Sequence, residues 1–204
     1  MLTLYHSPQS RSTRVVQLIH EMGKQDQVAI RTVGIARNDG SGAPDPANPH
    51  PEGKVPLLVH DGVEIRESIA IAQYLAELFP EAGLSVPPGD PMRGPFLAWL
   101  AWYAGVLEPV VVLKVTGLEG EATRRTFRGM EEAGARLAEA LKDKPYLCGD
   151  RYTVADLIVA STFNWMPAMT PDIPEVKAWV ERCHSRPAMV ATMAAERELL
   201  AKAA

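Results

Sequence analysis

The sequence predicts an α/β N-terminal half joined to an all-α C-terminal half. Strand and helix periodicities follow one another as β-α-β, then β-β-α, over residues 1–80. Residues 80–91 then gather Pro80, Gly83, Pro87, Pro88, Gly89 and Pro91 with no apolar period, which marks a boundary. Beyond it only helical spacing recurs. The expected division is therefore 1–80, a linker at 81–91, and a helical domain at 92–204. At 204 residues and 47% apolar content the chain can hold one large core or two small ones.

Leu2 and Leu4 alternate with Thr3 and Tyr5 as a short first strand, and His6-Ser7-Pro8-Gln9-Ser10 breaks it. From Ser12 the period turns helical, with Val15, Leu18, Ile19 and Met22 on one face and Gly23 as the C-cap. Val28 to Val33 is a second strand, so the first three elements form a βαβ unit with a parallel pair. Residues 36–53 carry Gly, Pro, Asn and Asp throughout and read as a long binding or mobile loop.

Val55 to His60 is short, apolar and β-branched, and Asp61-Gly62 is a two-residue hairpin signal. Val63 and Ile65 alternate with Glu64 and Arg66 as a returning strand. Ser68 stands where a helix N-cap belongs, ahead of Ile69, Ala72, Leu75 and Ala76. Such a helix start suits a bound carboxylate or phosphate, although a packing helix with a serine cap has the same pattern. Pro56 cannot donate to a central ladder, so it marks an edge, a bulge or a cis peptide.

In the C-terminal half, Met92 to about Leu118 reads as one helix kinked at Glu108-Pro109, and Glu121 to Lys142 as a second, despite Gly129 and Gly134. Thr153-Val154-Ala155-Asp156 has the spacing of a capping box, with Tyr152 and Leu157 at the hydrophobic-staple positions. Pro174 to His184 and Pro187 to Ala201 complete the set, each with Pro in its first turn.

No unbroken run of about 18 apolar residues occurs, so no membrane span is expected. The N-terminus lacks the layout of a signal peptide. A net charge of −4 argues against nucleic acid or an anionic membrane as main partner. The five histidines are scattered without zinc spacing, so no metal is expected. Two cysteines, Cys148 and Cys183, suggest a reducing, cytoplasmic setting and structural roles.

A small mixed sheet with a proline before its third strand resembles thioredoxin-like domains, in which that proline is cis and the preceding backbone pairs with a thiol peptide. Here those residues are Val55 and Pro56. Over essentially its whole length the sequence resembles the cytosolic glutathione transferases. The matching pieces are LYHSPQSRSTRV, NPHPEGKVPLL, the DG turn with ESIAIAQYL, ELFP, LEP, YLCGDRYTVADL and IPEVKAWVERCHSRPA.

The resemblance implies that Val55 holds the cysteinyl part of glutathione by main-chain bonds, beside Pro56. Glu67 and Ser68 receive the γ-glutamyl end, and Lys54 meets the glycine carboxylate. Arg37 and His50, in the long loop, are weaker candidates. A glutathione thiol has a free pKa near 8.5, so it needs a hydroxyl donor and the positive end of the first helix to ionise at neutral pH. Counting back from Arg14-Val15, Ser10 aligns with the active Ser or Cys of theta-like and beta-like enzymes. The same count sets Ser7, followed by Pro8, at the position of the tau and omega classes. Tyr5 lies inside its strand as the catalytic Tyr of several classes does, but its spacing to the helix fits them less well. Ser10 is the catalytic candidate, with Ser7 and Ser12 as alternatives, and any of the three can be the N-cap of the helix.

No cysteine lies in this segment, which argues against disulfide-exchanging members of the family. Trp99, Trp102, Tyr103 and Val106 fit an apolar wall for a hydrophobic electrophile, or else a core or dimer interface. The resemblance further implies a homodimer, glutathione as co-substrate, and a detoxifying transferase. The alternatives are a glutathione-dependent isomerase or peroxidase, or a non-enzymatic binding module on the same fold.

Overall fold

The computed structural model describes residues 1–203, with side chains through residue 201. The chain divides into two compact units. The first comprises Met1–Ala82 together with the C-terminal stretch from Arg186 onward, and the second is Gly83–Ser185. The last helix therefore belongs with the first unit, where the sequence had grouped it with the helical domain.

In the first unit, β1 (Leu2–His6), α1 (Thr13–Met22), β2 (Val28–Thr32), β3 (Leu57–His60), β4 (Val63–Ile65) and α2 (Ser68–Leu78) follow the expected order. The sheet order is β2-β1-β3-β4, with β1 parallel to β2 and antiparallel to β3, and β3 antiparallel to β4. Asp61 and Gly62 both take positive φ, 49° and 85°, as a type I′ hairpin requires. Gly23 closes α1 at φ 65°.

Leu4, Val15, Leu18, Ile19, Leu57, Leu58, Ile71 and Leu75 are fully buried and form this core. Each such side chain contributes about 1.5–3 kcal/mol by leaving water. The C-terminal helix, α9 (Pro187–Ala203), packs along α1. Arg186 grips Glu21 with two bonds of 2.8 Å, and Thr192 Oγ1 meets His20 Nδ1 at 2.8 Å. The bidentate geometry makes the Arg186–Glu21 pair a specific clasp.

The second unit is helical: α3 (Arg93–Trp102), α4 (Glu108–Thr116), α5 (Glu121–Phe127), α6 (Met130–Leu141), α7 (Val154–Trp165) and α8 (Pro174–His184). A π-helical turn, Tyr103–Leu107, joins α3 to α4, with the Glu108 N–H reaching Tyr103 O. Pro109 follows at the first turn of α4, where its missing N–H breaks no helical bond. The expected kink is thus a widened turn. Residues 93–116 form a helix long and apolar enough to cross a membrane by length and composition, which the absence of an unbroken apolar run had not suggested. Phe96, Leu100, Leu107, Val110 and Val111 of this rod are buried in the unit's core.

The single helix expected over 121–142 is two. Arg128 takes φ 63° and Gly129 is extended, so the helical ladder stops there and restarts at Met130. Gly134, in contrast, is tolerated inside α6 because Pro171 packs on it, and a Cβ there would come within 3.0 Å.

The capping box at the start of α7 is formed as expected. Thr153 Oγ1 accepts from Ala155 N–H at 3.2 Å, and Thr153 N–H donates to Asp156 Oδ2 at 3.0 Å. Asp156 also accepts from Leu147 N–H at 2.8 Å and Trp179 Nε1–H at 3.0 Å. Burial pushes its carboxyl up, against these donors. Cys148 and Cys183 are free and buried, and burial pushes the Cys148 thiol up to about 11.

Candidate active site

The segment between β1 and α1 is tied down from two sides. Gln9, a non-glycine residue at φ 54°, donates its N–H to Glu196 of α9. The Arg37 guanidinium donates to Pro8 O at 2.7 Å, Gln9 O at 3.1 Å and Ser7 Oγ at 3.4 Å. Charged groups thus hold the turn on both edges.

Three serines meet within this turn. Ser12 occupies the N-cap position of α1, yet its hydroxyl caps no helix N–H. Instead it lies 2.7 Å from Ser10 Oγ, 2.7 Å from His6 Nδ1 and 3.2 Å from Ser7 O, and accepts from Ser7 N–H at 3.1 Å. Ser10 Oγ donates to Ser7 O at 2.7 Å and accepts from Ser12 N–H at 3.2 Å. Ser7 and Ser12 are buried, whereas Ser10 is half-buried. Ser10 lies two residues ahead of Ser12, the N-cap at the positive end of α1.

At the same end of the sheet, just ahead of β3, the Val55–Pro56 peptide is cis. The β1–β3 ladder ends at the Tyr5–Leu57 pair, so Val55 lies just outside it. Glu67, not Ser68, is the N-cap of α2, and Ser68 is the first helical residue. Glu67 adopts φ 66° and ψ 118°, a conformation that costs a non-glycine residue roughly 1–3 kcal/mol. No side chain bonds the first turn of α2 at the cap, so its N–H groups are left for water or a ligand. Ser68 is buried and Glu67 exposed.

Lys54 is exposed and pairs with Glu52 at 2.8 Å. The Glu52 hydrogen bond and charge raise its pKa, with a smaller raising contribution from Glu67 and a lowering one from Arg11. Lys54, Glu67 and Arg11 thus lie within electrostatic reach of one another.

The second half of the long loop is ordered by side chains. Asn48 Nδ2 donates to Lys54 O at 3.1 Å, its Oδ1 accepts from His50 N–H at 3.1 Å, and His50 Nδ1 accepts from Glu52 N–H at 3.1 Å. Asn48 and His50 are buried at the base of this loop. Sequence reading passed over Asn48, whose polar-loop context gave no sign of burial. It also passed over His6 and Glu196, whose pairing joins the two ends of the chain and leaves no local pattern.

Trp99, Trp102 and Tyr103 are buried in the second unit, with the two indoles edge to face at 5.2 Å. The Arg136 guanidinium lies 5.0 and 4.9 Å from their ring centroids. Val106 is half-buried in the π turn, so of the four expected wall residues it is the one least committed to the core. A cleft of about 730 Å³ on this unit, lined by Lys114, Glu121, Arg124, Arg128 and Glu132 among others, contains none of the expected site residues. Among the described residues, no group of three or more His, Cys, Asp or Glu side chains is placed to hold a metal.

A four-stranded βαβ-ββα unit with a cis proline before β3, followed by a bundle of helices, defines a thioredoxin-like domain carrying an all-α domain. Residues 4–83 match the model of the glutathione S-transferase N-terminal domain, and residues 103–187 that of the C-terminal domain. Glutathione S-transferase GstA of Escherichia coli O157:H7 is 27% identical over 200 residues, covering 96% of this chain and 98% of GstA. The crystal structure of a glutathione transferase from Methylococcus capsulatus is 30% identical, with TM-score 0.77, over 96% of this chain and 98% of the other. A theta-class glutathione S-transferase from Xanthomonas axonopodis pv. citri, solved with glutathione bound, is 26% identical, with TM-score 0.67, over 94% of this chain and 96% of the other. The chain belongs to the glutathione S-transferase family, and is a glutathione transferase.

Proposed function

We propose that the protein holds glutathione on its first unit, ionises the thiol beside Ser10, and directs the thiolate to a hydrophobic electrophile. The carrying observation is that Ser10 is the half-buried member of a serine cluster whose other two members are buried. A sulfur arriving from solvent meets Ser10 Oγ first, at the positive end of α1. The Ser10 hydroxyl then turns from Ser7 O to the sulfur and donates to the thiolate. Attack forms a carbon–sulfur bond while the leaving group departs with its electron pair.

The remaining contacts follow the shape of the tripeptide. Val55, ahead of Pro56 and outside the ladder, pairs its backbone with the cysteinyl residue. The uncapped start of α2 and the Ser68 hydroxyl take the γ-glutamyl carboxylate, and Glu67 takes its ammonium. Lys54 takes the glycine carboxylate, exchanging it for Glu52. Val106, with Trp99, Trp102 and Tyr103, supplies apolar side chains of the kind a hydrophobic electrophile needs. Leu97, Val112 and Val115, exposed on α3 and α4, offer a second copy an apolar surface, and the protein works as a homodimer.

Binding to immobilised glutathione, followed by turnover of a halogenated nitroaromatic, tests this reading. Wild type is retained and turns over. Ser68→Ala weakens retention, and Ser10→Ala is retained but loses roughly 10–100-fold in rate, the worth of a hydrogen bond to a charged group. No retention by wild type sinks the proposal, and full rate in Ser10→Ala moves the role to Ser7 or Ser12. Sedimentation as a monomer at micromolar concentration contradicts the dimer.

A further inference from the structure

Behind Ser10 runs an unbroken line of polar atoms into the interior. Ser10 Oγ and Ser12 Oγ are 2.7 Å apart, Ser12 Oγ and His6 Nδ1 2.7 Å, and His6 Nε2 and Glu196 Oε1 3.2 Å. His6, Ser12 and Glu196 are all at most 2% exposed, so the line touches solvent at Ser10 alone. His6 Nε2 and Glu196 Oε1 make no other hydrogen bond, although a buried polar atom without a partner is costly. They face each other at 3.2 Å, off the line of a good hydrogen bond.

Donor counting gives this line a direction that runs inward from Ser10. The Glu196 carboxylate requires a proton on His6 Nε2. The neutral ring then has a lone pair on Nδ1, which takes the Ser12 hydroxyl proton, and Ser12 Oγ accepts from Ser10 when the Ser10 hydroxyl turns to it from Ser7 O. Resting on the assignment of Ser10 to the thiol, we propose that His6 is the internal acceptor for the glutathione proton, reached through the Ser10 and Ser12 hydroxyls and held charged by Glu196.

The transfer balances atom by atom. The S–H bond breaks as its proton moves to Ser10 Oγ. The Ser10 proton passes to Ser12 Oγ, and the Ser12 proton to His6 Nδ1. Each oxygen again carries one hydrogen, the sulfur keeps its electron pair as thiolate, and the imidazole becomes an imidazolium beside the Glu196 carboxylate. Ser10 now donates to the sulfur, Ser12 to Ser10 and His6 to Ser12, so every donor points outward at the new charge. The proton returns to water by the reverse path once the conjugate leaves.

Charged side chains near this line in the chain are Glu196 on α9, Arg11 just ahead of α1, Arg14 in its first turn, and Arg37 on the loop after β2. Arg37 bonds Ser7, Pro8 and Gln9, and Thr13 of α1 bonds Glu196. His6 and Ser12 are positioning residues, because they act on the sulfur through Ser10.

The test is the ultraviolet absorbance of bound glutathione thiolate, titrated against pH in wild type, S10A, S12A, E196Q and S12A/E196Q. S12A and E196Q each raise the bound thiol's apparent pKa by about one unit. The double variant shifts it no further than the larger single shift, because both cut one line. E196Q keeps the side-chain volume and an acceptor for Gln9 N–H, so it decides alone if S12A does not fold. A thiol pKa unchanged in S12A and E196Q but raised in S10A overturns the relay and leaves Ser10 in place. One unchanged in S10A but raised in the other two overturns Ser10 as the link. Additive shifts in the double variant also overturn the relay.

Discussion

His6, at the end of the first strand, and Glu196, in the last helix, meet at 3.2 Å with both side chains buried. Burial pushes the Glu196 carboxyl up, but the His6 ring, the Gln9 N–H and the Thr13 hydroxyl outweigh it and hold its pKa below the ordinary 4.5. A carboxyl lowered on folding contributes stability above its unfolded pKa, and loses that contribution as pH falls through the folded value. Wild type should therefore lose stability on acidification below about pH 4.5, and Glu196→Gln should lose less over the same range. Urea midpoints at neutral pH and at successive acidic pH values measure the difference. Equal acid slopes in the two proteins contradict it.

Asp156 accepts from Leu147 N–H, Thr153 N–H and Trp179 Nε1–H, all buried. Asp156→Ala strands three donors at once, for an expected loss of about 3–5 kcal/mol in the second unit. Denaturant unfolding followed by tryptophan fluorescence reads it. A midpoint close to wild type means that water replaces the carboxylate.

Cys148 has its thiol pushed up to about 11, first by burial and then by Asp156. At pH 8 only about one molecule in a thousand carries the thiolate there, the form that reacts. Ellman's reagent should leave the folded protein unmodified and titrate two thiols per chain after denaturation. Rapid labelling of the native protein contradicts the burial of Cys148 and Cys183.

How much of this was legible in the sequence depends on range. The 57–65 hairpin was readable because its turn residues, Asp61 and Gly62, report their own backbone geometry. The Thr153 capping box was readable because its partners lie three residues apart. The cap of α2 was misplaced by one residue, since Glu67 holds a left-handed φ that no residue preference predicts. The break at Arg128-Gly129 was missed because the apolar period runs on through it. Burial of Trp99 and Trp102 depends on packing partners, so an aromatic stripe alone did not separate a wall from a core. The placement of α9 and the Glu196–His6 contact join opposite ends of the chain, and no local pattern encodes them.

The central claim is that this fold lowers the pKa of a bound glutathione thiol. Ultraviolet titration of the wild-type complex measures that pKa directly. With the Ser10 hydroxyl and the α1 terminus both stabilising the thiolate, the bound thiol should ionise near pH 7 or below, at least about one unit under the free value near 8.5. A bound thiol that titrates at its free value contradicts the account.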